Sequence, residues 1–256
     1  MSNKFINLKA GKNTFRLILI ACLISILVVT VISCKGVQVI GSGNVISEDR
    51  AVSGFSKVSI SGSGNLFIEQ GDEESITIKA EDNLTHLITT RVSGNTLTIG
   101  FKLGTNVSTT KSIEFHLQVK DLDSISTSGS GNVNCAGLST SNLTIRTSGS
   151  GDVDMSNIIT TIIDINSSGS GNYTLAGKTD SLEISASGSG NYNAGDLKSK
   201  ECKIKASGSG NLTVNVSDNL NVSIGGSGDV GYIGNPTVTV GWKLIPGSGE
   251  IINISE

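Results

Sequence analysis

The chain has 256 residues, of which 32 are glycine and only 2 proline; 37% are hydrophobic, 4% are aromatic, and the formal net charge is −3. These values exclude a collagen, which needs glycine at every third position with abundant proline, a disordered chain, which needs low hydrophobicity with high charge, and a multi-span membrane protein, which needs several long apolar runs. So few aromatic residues suit a thin core made of many small layers, as in a repeat protein.

Lys4, Lys9, Lys12 and Arg16 precede the apolar run Leu17 to Ile32, and nothing acidic occurs before Glu48. A basic segment followed by an apolar one is a signal-peptide pattern. The run is short for a spanning helix, which needs about 20 residues, and it ends in Val31-Ile32-Ser33-Cys34. This end resembles the lipobox of bacterial lipoprotein signals. The resemblance implies cleavage before Cys34 and a diacylglycerol on its thiol, making residues 1–33 a signal peptide and residues 34–39 a short tether; an uncut signal anchor is the competing reading. Two or three acyl chains, each worth about 0.8 kcal/mol per buried methylene, would hold the protein durably on a membrane. Beyond residue 33 the chain carries 15 basic and 22 acidic side chains, a net charge of −7. That sign repels phosphate backbones, so no nucleic-acid partner is expected.

From residue 40 to residue 256 the sequence reads as one repeat domain. Gly-Ser-Gly followed by Asn, Asp or Glu begins at residues 41, 62, 129, 149, 169, 188, 208, 226 and 247, and all but one of the intervals are near 20 residues. Two positions after the second glycine stand Val45, Leu66, Val133, Val153, Tyr173, Tyr192, Leu212, Val230 and Ile251, with polar residues such as Asn134, Asp154 and Thr174 following them. Alternation of this kind predicts a strand with one buried face. The pairs Leu143/Ile145, Ile163/Ile165, Leu182/Ile184, Cys202/Ile204 and Leu220/Val222 predict a second strand in each repeat. Such short strands bury nothing alone and must stack on their own copies. The expected fold is therefore all-β: a right-handed parallel β-helix with coils of about 20 residues, the hand following from the crossover rule. Glycine at the turn would supply tight or left-handed backbone, and stacked Asn132, Asn172, Asn191 and Asn211 could bond coil to coil.

The long interval holds an insertion at about residues 69–122. Alternating segments at Ser75 to Lys79, Arg91 to Lys102 and Ile113 to Val119, with a Ser93-Gly94-Asn95 turn and one helical turn near Asp82, predict an antiparallel β flap near the N-terminal end. It would cover exposed strand edges. The tail, residues 232–256, with Pro236, Trp242 and Pro246, departs from the motif and reads as a C-terminal cap. Cys135 shares a column with Met155 and Leu175, and Cys202 one with Leu182 and Leu220, so both read as small buried hydrophobes rather than disulfide partners.

Gly41-Ser-Gly-Asn-Val45, Val52-Ser-Gly-Phe-Ser-Lys-Val58, Gly62-Ser-Gly-Asn-Leu66, Glu81-Asp-Asn-Leu84 and the glycine ladder together resemble the putative auto-transporter adhesin, head GIN domain family, over about residues 40–230. The resemblance implies a β-helix on a bacterial envelope, with adhesion as its proposed role and no established catalytic residues.

Residue chemistry adds little beyond this. Asp152 and Asp154 lie on an outward strand face beside Asn132, Asn134, Asn172 and Thr174, a loose oxygen-lined patch that reads more simply as solvated surface. The outward acids Asp154, Asp164, Glu183 and Asp196 offer no carboxylate pair for glycoside chemistry, and of the two histidines, His86 and His116, the latter reads as structural. No catalytic residue, metal site or cofactor is expected. The resulting expectation is a lipid-anchored, non-enzymatic envelope protein, held on the outer membrane at its periplasmic or surface face, that binds a glycan or an envelope protein. A polysaccharide lyase or hydrolase is the alternative, and a structural envelope spacer the third reading.

Overall fold

The computed structural model describes residues 38–243 and 248–255. The signal segment, Cys34 and Pro246 lie outside the described residues. Val39–Glu256 forms one compact unit. Among the described residues no helix is long and apolar enough to cross a membrane.

In chain order, β1 (Gln38–Ile40) and β2 (Val45–Arg50) precede a coil made of β3 (Lys57–Gly62) and β4 (Asn65–Gln70). The insertion supplies β5 (Ser75–Glu81), a 3-10 turn at Thr85–Leu87, β6 (Ile88–Ser93), β7 (Thr96–Phe101), β8 (Asn106–Ser108) and β9 (Glu114–Val119). Regular coils follow: β10 (Ser124–Gly129), β11 (Val133–Cys135), β12 (Leu138–Thr147), β13 (Val153–Ser167), β14 (Tyr173–Ala186), β15 (Tyr192–Ala206) and β16 (Leu212–Ile224). The last turns are β17 (Val230–Ile233), β18 (Thr237–Lys243) and β19 (Ile251–Asn253).

Three parallel ladders run along the solenoid. The first stacks β7, β3, β10, the C-terminal halves of β12 to β16, and β18. The second stacks β9, β4, β11, the N-terminal ends of β13 to β16, β17 and β19. The third joins the start of β12 to the middles of β13 to β16, where β-bulges turn each long strand from one face to the next. Register is strict on the first face: Val58, Ile125, Ile145, Ile165, Ile184, Ile204 and Val222 fall in one column, all buried. Each contributes roughly 1.5–3 kcal/mol by leaving water. A one-residue slip would expose the whole column, so the pattern itself fixes the register.

Glycine recurs at the corner for a reason other than the one its sequence position suggests. From Gly149 to Gly228 no corner glycine has a positive φ. A Cβ at Gly149, Gly169, Gly188, Gly208 or Gly226 would instead lie well inside 3.0 Å of the carbonyl oxygen of the equivalent glycine one coil earlier. Close approach of stacked backbones excludes any side chain there; only Gly62 (φ 113°) and Gly129 (φ 138°) in this row also require left-handed backbone.

The insertion is not simply an antiparallel flap. β7 and β9 pair in parallel with β3 and β4 and so complete a coil on the side opposite to β10 and β11. Antiparallel pairing is confined to β6 on β7, β5 on β9 and β2 on β5, which close that end. The Gly94-Asn95 turn joins β6 to β7, with Gly94 at φ 59°.

The first Gly-Ser-Gly-Asn copy also leaves the ladder, because β2 runs antiparallel and Val45 is exposed. Glu81, Asp82 and Asn83 hold this loop. The amide of Gly43 donates to Glu81 at 2.7 Å, the Ser42 hydroxyl and Asn44 side-chain amide donate to Asp82 at 2.5 and 2.9 Å, and the Ser42 amide donates to Asn83 at 2.9 Å. Glu81 is fully buried and also accepts the Thr110 hydroxyl and amide. These donors replace the water that an ionised carboxylate would otherwise need.

The tail does not depart from the repeat. β17, β18 and β19 continue the ladders in parallel register, pairing Val230 with Leu212 and Ile251 with Val230.

Candidate functional site

Along the corner, the residue after each glycine pair forms a continuous side-chain ladder. The side-chain oxygens of Asn65, Asn132, Asp152, Asn172, Asn191, Asn211 and Asp229 each accept the backbone amide of the equivalent residue one coil on, at 2.7 to 3.2 Å. Asp152 is thus one rung among amides. Asp154 is exposed, with Asn134 and Thr174 beside it in register. Among the described residues no group of three or more His, Cys, Asp or Glu could hold a metal ion.

Just before the corner, on the first face, a groove of about 480 Å³ runs across five consecutive coils. Beneath it the side-chain size changes. Where the central columns carry isoleucine, the next inward column carries Thr147, Ser167, Ala186 and Ala206, all buried. The space beneath them is taken by Tyr173 and Tyr192, whose rings stack with centroids 4.4 Å apart and planes 7° from parallel. The Tyr173 hydroxyl meets the Thr147 hydroxyl, which also donates to Ser167 at 3.1 Å, so Tyr173 is satisfied from the floor of the groove. Burial pushes the Tyr192 phenol well above its usual range.

The walls are small and polar. Ser148, Ser168, Ser187 and Ser207 form one exposed column along the corner side. On the other side Arg146, Asn166, Ser185 and Lys205 occupy successive coils in register. Arg146 and Lys205 are the charged residues of the lining, and no carboxylate belongs to it. Lys205 and Lys203 both reach Glu183, at 3.2 and 3.0 Å, and the Lys203 hydrogen bond in particular holds the Glu183 carboxyl below its usual range.

A smaller depression of about 220 Å³ lies on the second face near the closed end. Phe67 points outward there and stacks on His116, with centroids 4.9 Å apart. His116 is partly exposed and bonds Glu114 at 2.8 Å, an interaction that lowers the Glu114 pKa. The outward position of Phe67, between buried Leu66 and Ile68, is the sequence signal for this site.

Of the other acids that the sequence raises as candidates, Asp164 and Glu183 are register partners on adjacent coils, with Asp164 bonded to the Asn166 side-chain amide and Glu183 to Lys203 and Lys205, whereas Asp196 stands apart on β15. Cys135 and Cys202 are free and buried, in the columns of Met155 and Leu182. Burial pushes the Cys202 thiol up to about 12.

Against this geometry, a model of the putative auto-transporter adhesin, head GIN domain, matches residues 54–236. The crystal structure of a putative adhesin from Bacteroides fragilis is similar with a TM-score of 0.80 and 29% identity, over 84% of this chain and 100% of that one. A putative adhesin and a putative lipid binding protein, both from Parabacteroides distasonis, share the fold with TM-scores of 0.65 and 0.66 at 22% and 23% identity. Each of these two comparisons covers 85% of this chain, and respectively 100% and 99% of the other. No curated protein matches the sequence.

Proposed function

Because the chain belongs to the putative auto-transporter adhesin, head GIN domain family, we propose that it is a non-enzymatic adhesive module of the bacterial cell envelope, binding a glycan or a protein along the first-face groove. The observation that carries this is the groove itself. It runs across five consecutive coils, and one wall presents Ser148, Ser168, Ser187 and Ser207 on successive ones. Long concave surfaces built by stacked repeats are what solenoid proteins use to bind extended partners. The description of the Bacteroides fragilis relative as a putative adhesin supports the same reading.

The anchor is part of the proposal. Cys34 follows Val31-Ile32-Ser33 at the end of the one long apolar run, and acylation there would keep the solenoid on a membrane, the outer one in this reading. No nucleic-acid partner fits a segment with a net charge of −7 beyond residue 33. The test is a glycan array probed with the compact unit, residues 39–256. Binding that Ser168→Trp abolishes, by filling the groove, supports the assignment. Turnover of a bound polysaccharide would replace it with the enzyme reading, and binding insensitive to groove substitutions would place the adhesive surface elsewhere.

A further inference from the structure

We propose that the groove takes a linear acidic polysaccharide, laid parallel to the solenoid axis with one sugar ring on each coil. The inference rests on the groove being the adhesive surface and adds the ligand's chemistry. Three features carry it.

The first is period. Ser148, Ser168, Ser187 and Ser207 repeat once per coil, hence every ~4.8 Å along the axis. That rise is close to the length of one pyranose ring in an extended glycan, so the same contact recurs for each sugar. A peptide strand advances ~3.3 Å per residue and returns a side chain to the same face every second residue, which falls out of step with the coils. Nor does the groove offer a peptide a sheet edge to extend: the amides of Ser148, Ser168, Ser187 and Ser207 are already bonded to carbonyls of the preceding coil.

The second is charge. Arg146 and Lys205 are three coils apart in one register column, ~14 Å along the axis, and no acidic side chain belongs to the lining. Arg146 forms no ion pair among the described residues. Lys205 shares Glu183 with Lys203, an exposed contact that a ligand carboxylate or sulfate can displace at little cost. In a chain with a net charge of −7 beyond residue 33, both charges of the lining itself are positive, with Asp164 and Glu183 flanking it beside Asn166 and Lys205. Neutral glycans would leave both cations unused, whereas uronates or sulfated sugars on the first and fourth rings would meet them.

The third is the floor. Thr147, Ser167, Ala186 and Ala206, between the two polar walls, are small and turned inward, so no bulky side chain stands there to keep a sugar ring out.

Calorimetry on the full-length chain in detergent, titrated with oligogalacturonates from dimer to hexamer and with neutral cello-oligosaccharides of the same lengths, tests this. Affinity should rise up to the tetramer, weaken with added sodium chloride, and fall by about tenfold when Arg146 and Lys205 are both changed to Gln. The double change Lys178→Gln with Lys198→Gln, on the third face, should leave affinity unchanged. Equal affinity for the neutral series would overturn the acidic ligand while leaving the groove as the binding surface. An equal loss in the third-face variant would overturn the placement. Tighter binding of poly-glutamate than of the uronate would replace the polysaccharide with an acidic peptide. Absence of binding to every glycan would remove both this inference and the glycan reading on which it stands.

Discussion

The Asp152 carboxylate accepts the backbone amide of Asn172, one coil further on, at 2.7 Å, and the Asn172 side-chain amide at 3.2 Å. The acid is therefore a rung of a hydrogen-bonded ladder whose other members are mostly asparagine. Asp152→Asn should leave the thermal midpoint nearly unchanged, since an amide oxygen accepts the same amide hydrogen. Asp152→Ala should lower stability by about 1 kcal/mol, the net worth of such a bond. Calcium should move the midpoint of neither variant; a large rise with the parent chain alone would mark an ion site here.

Gly188→Ala tests why the corner is glycine. A Cβ at this position meets the backbone of Gly169, which cannot step aside without separating two coils. A loss of about 1–3 kcal/mol is expected in chemical denaturation. Gly137→Ala is the control, because nothing lies within 4 Å of the Cβ it would add. Equal effects of the two changes would return the explanation to backbone conformation alone.

Glu81 gives stability a pH dependence. The Thr110 hydroxyl, with the amides of Thr110, Gly43 and Lys111, holds its carboxyl below the ordinary value of 4.5 against the opposing effect of burial. A depressed carboxylate stabilises the fold above its unfolded value and ceases to do so as pH falls through the folded value. Glu81→Gln should therefore lower the midpoint most near neutrality, and the gap from the parent should narrow below about pH 4.5. A gap of constant size throughout the acid range would show that shape, not charge, holds the Ser42 loop.

The two buried cysteines should be inert in the native state. Burial raises both thiols, that of Cys202 to about 12, so little thiolate exists at ordinary pH and neither sulfur is accessible. A thiol reagent at mild alkaline pH should leave the folded chain unlabelled at these positions and label both after unfolding without reductant. Failure to find them after unfolding would mean a disulfide, and a different coil register.

Cys34→Ser should leave an unprocessed precursor and abolish metabolic palmitate labelling. Full labelling of the variant would refute acylation at this residue.

Much of the solenoid can be read from the chain because its information is periodic. Ile145, Ile165, Ile184 and Ile204 align in sequence as they align in space, and the asparagines after each glycine pair form the expected bonds. Features that depend on neighbours distant in sequence are not legible in this way. Nothing local distinguishes β7 and β9 as strands that pair in parallel with β3 and β4 rather than with each other. Val45 matches the repeat letter for letter, yet Glu81 and Asp82 draw its loop out of the stack. The core beneath the groove is hidden for a similar reason: alanine and serine at 186 and 167 look like minor variants of a core column until Tyr173 and Tyr192 are seen to fill the space from another face.

The coil built by β7 and β9 makes spatial order differ from chain order, with residues 96–119 lying beyond residues 57–70 and residues 124–135 on the other flank. The turn made by β3 and β4 is thus a keystone rather than a beginning: one side is sealed by the segment that follows it, and the other is left as a template. Everything C-terminal to Asp123 can then be laid down in sequence on that template without disturbing the seal. Selection could lengthen or shorten the array, and with it the groove, by whole coils between residues 133 and 230, adjusting reach without redesigning either the closed end or its attachment to the chain before it.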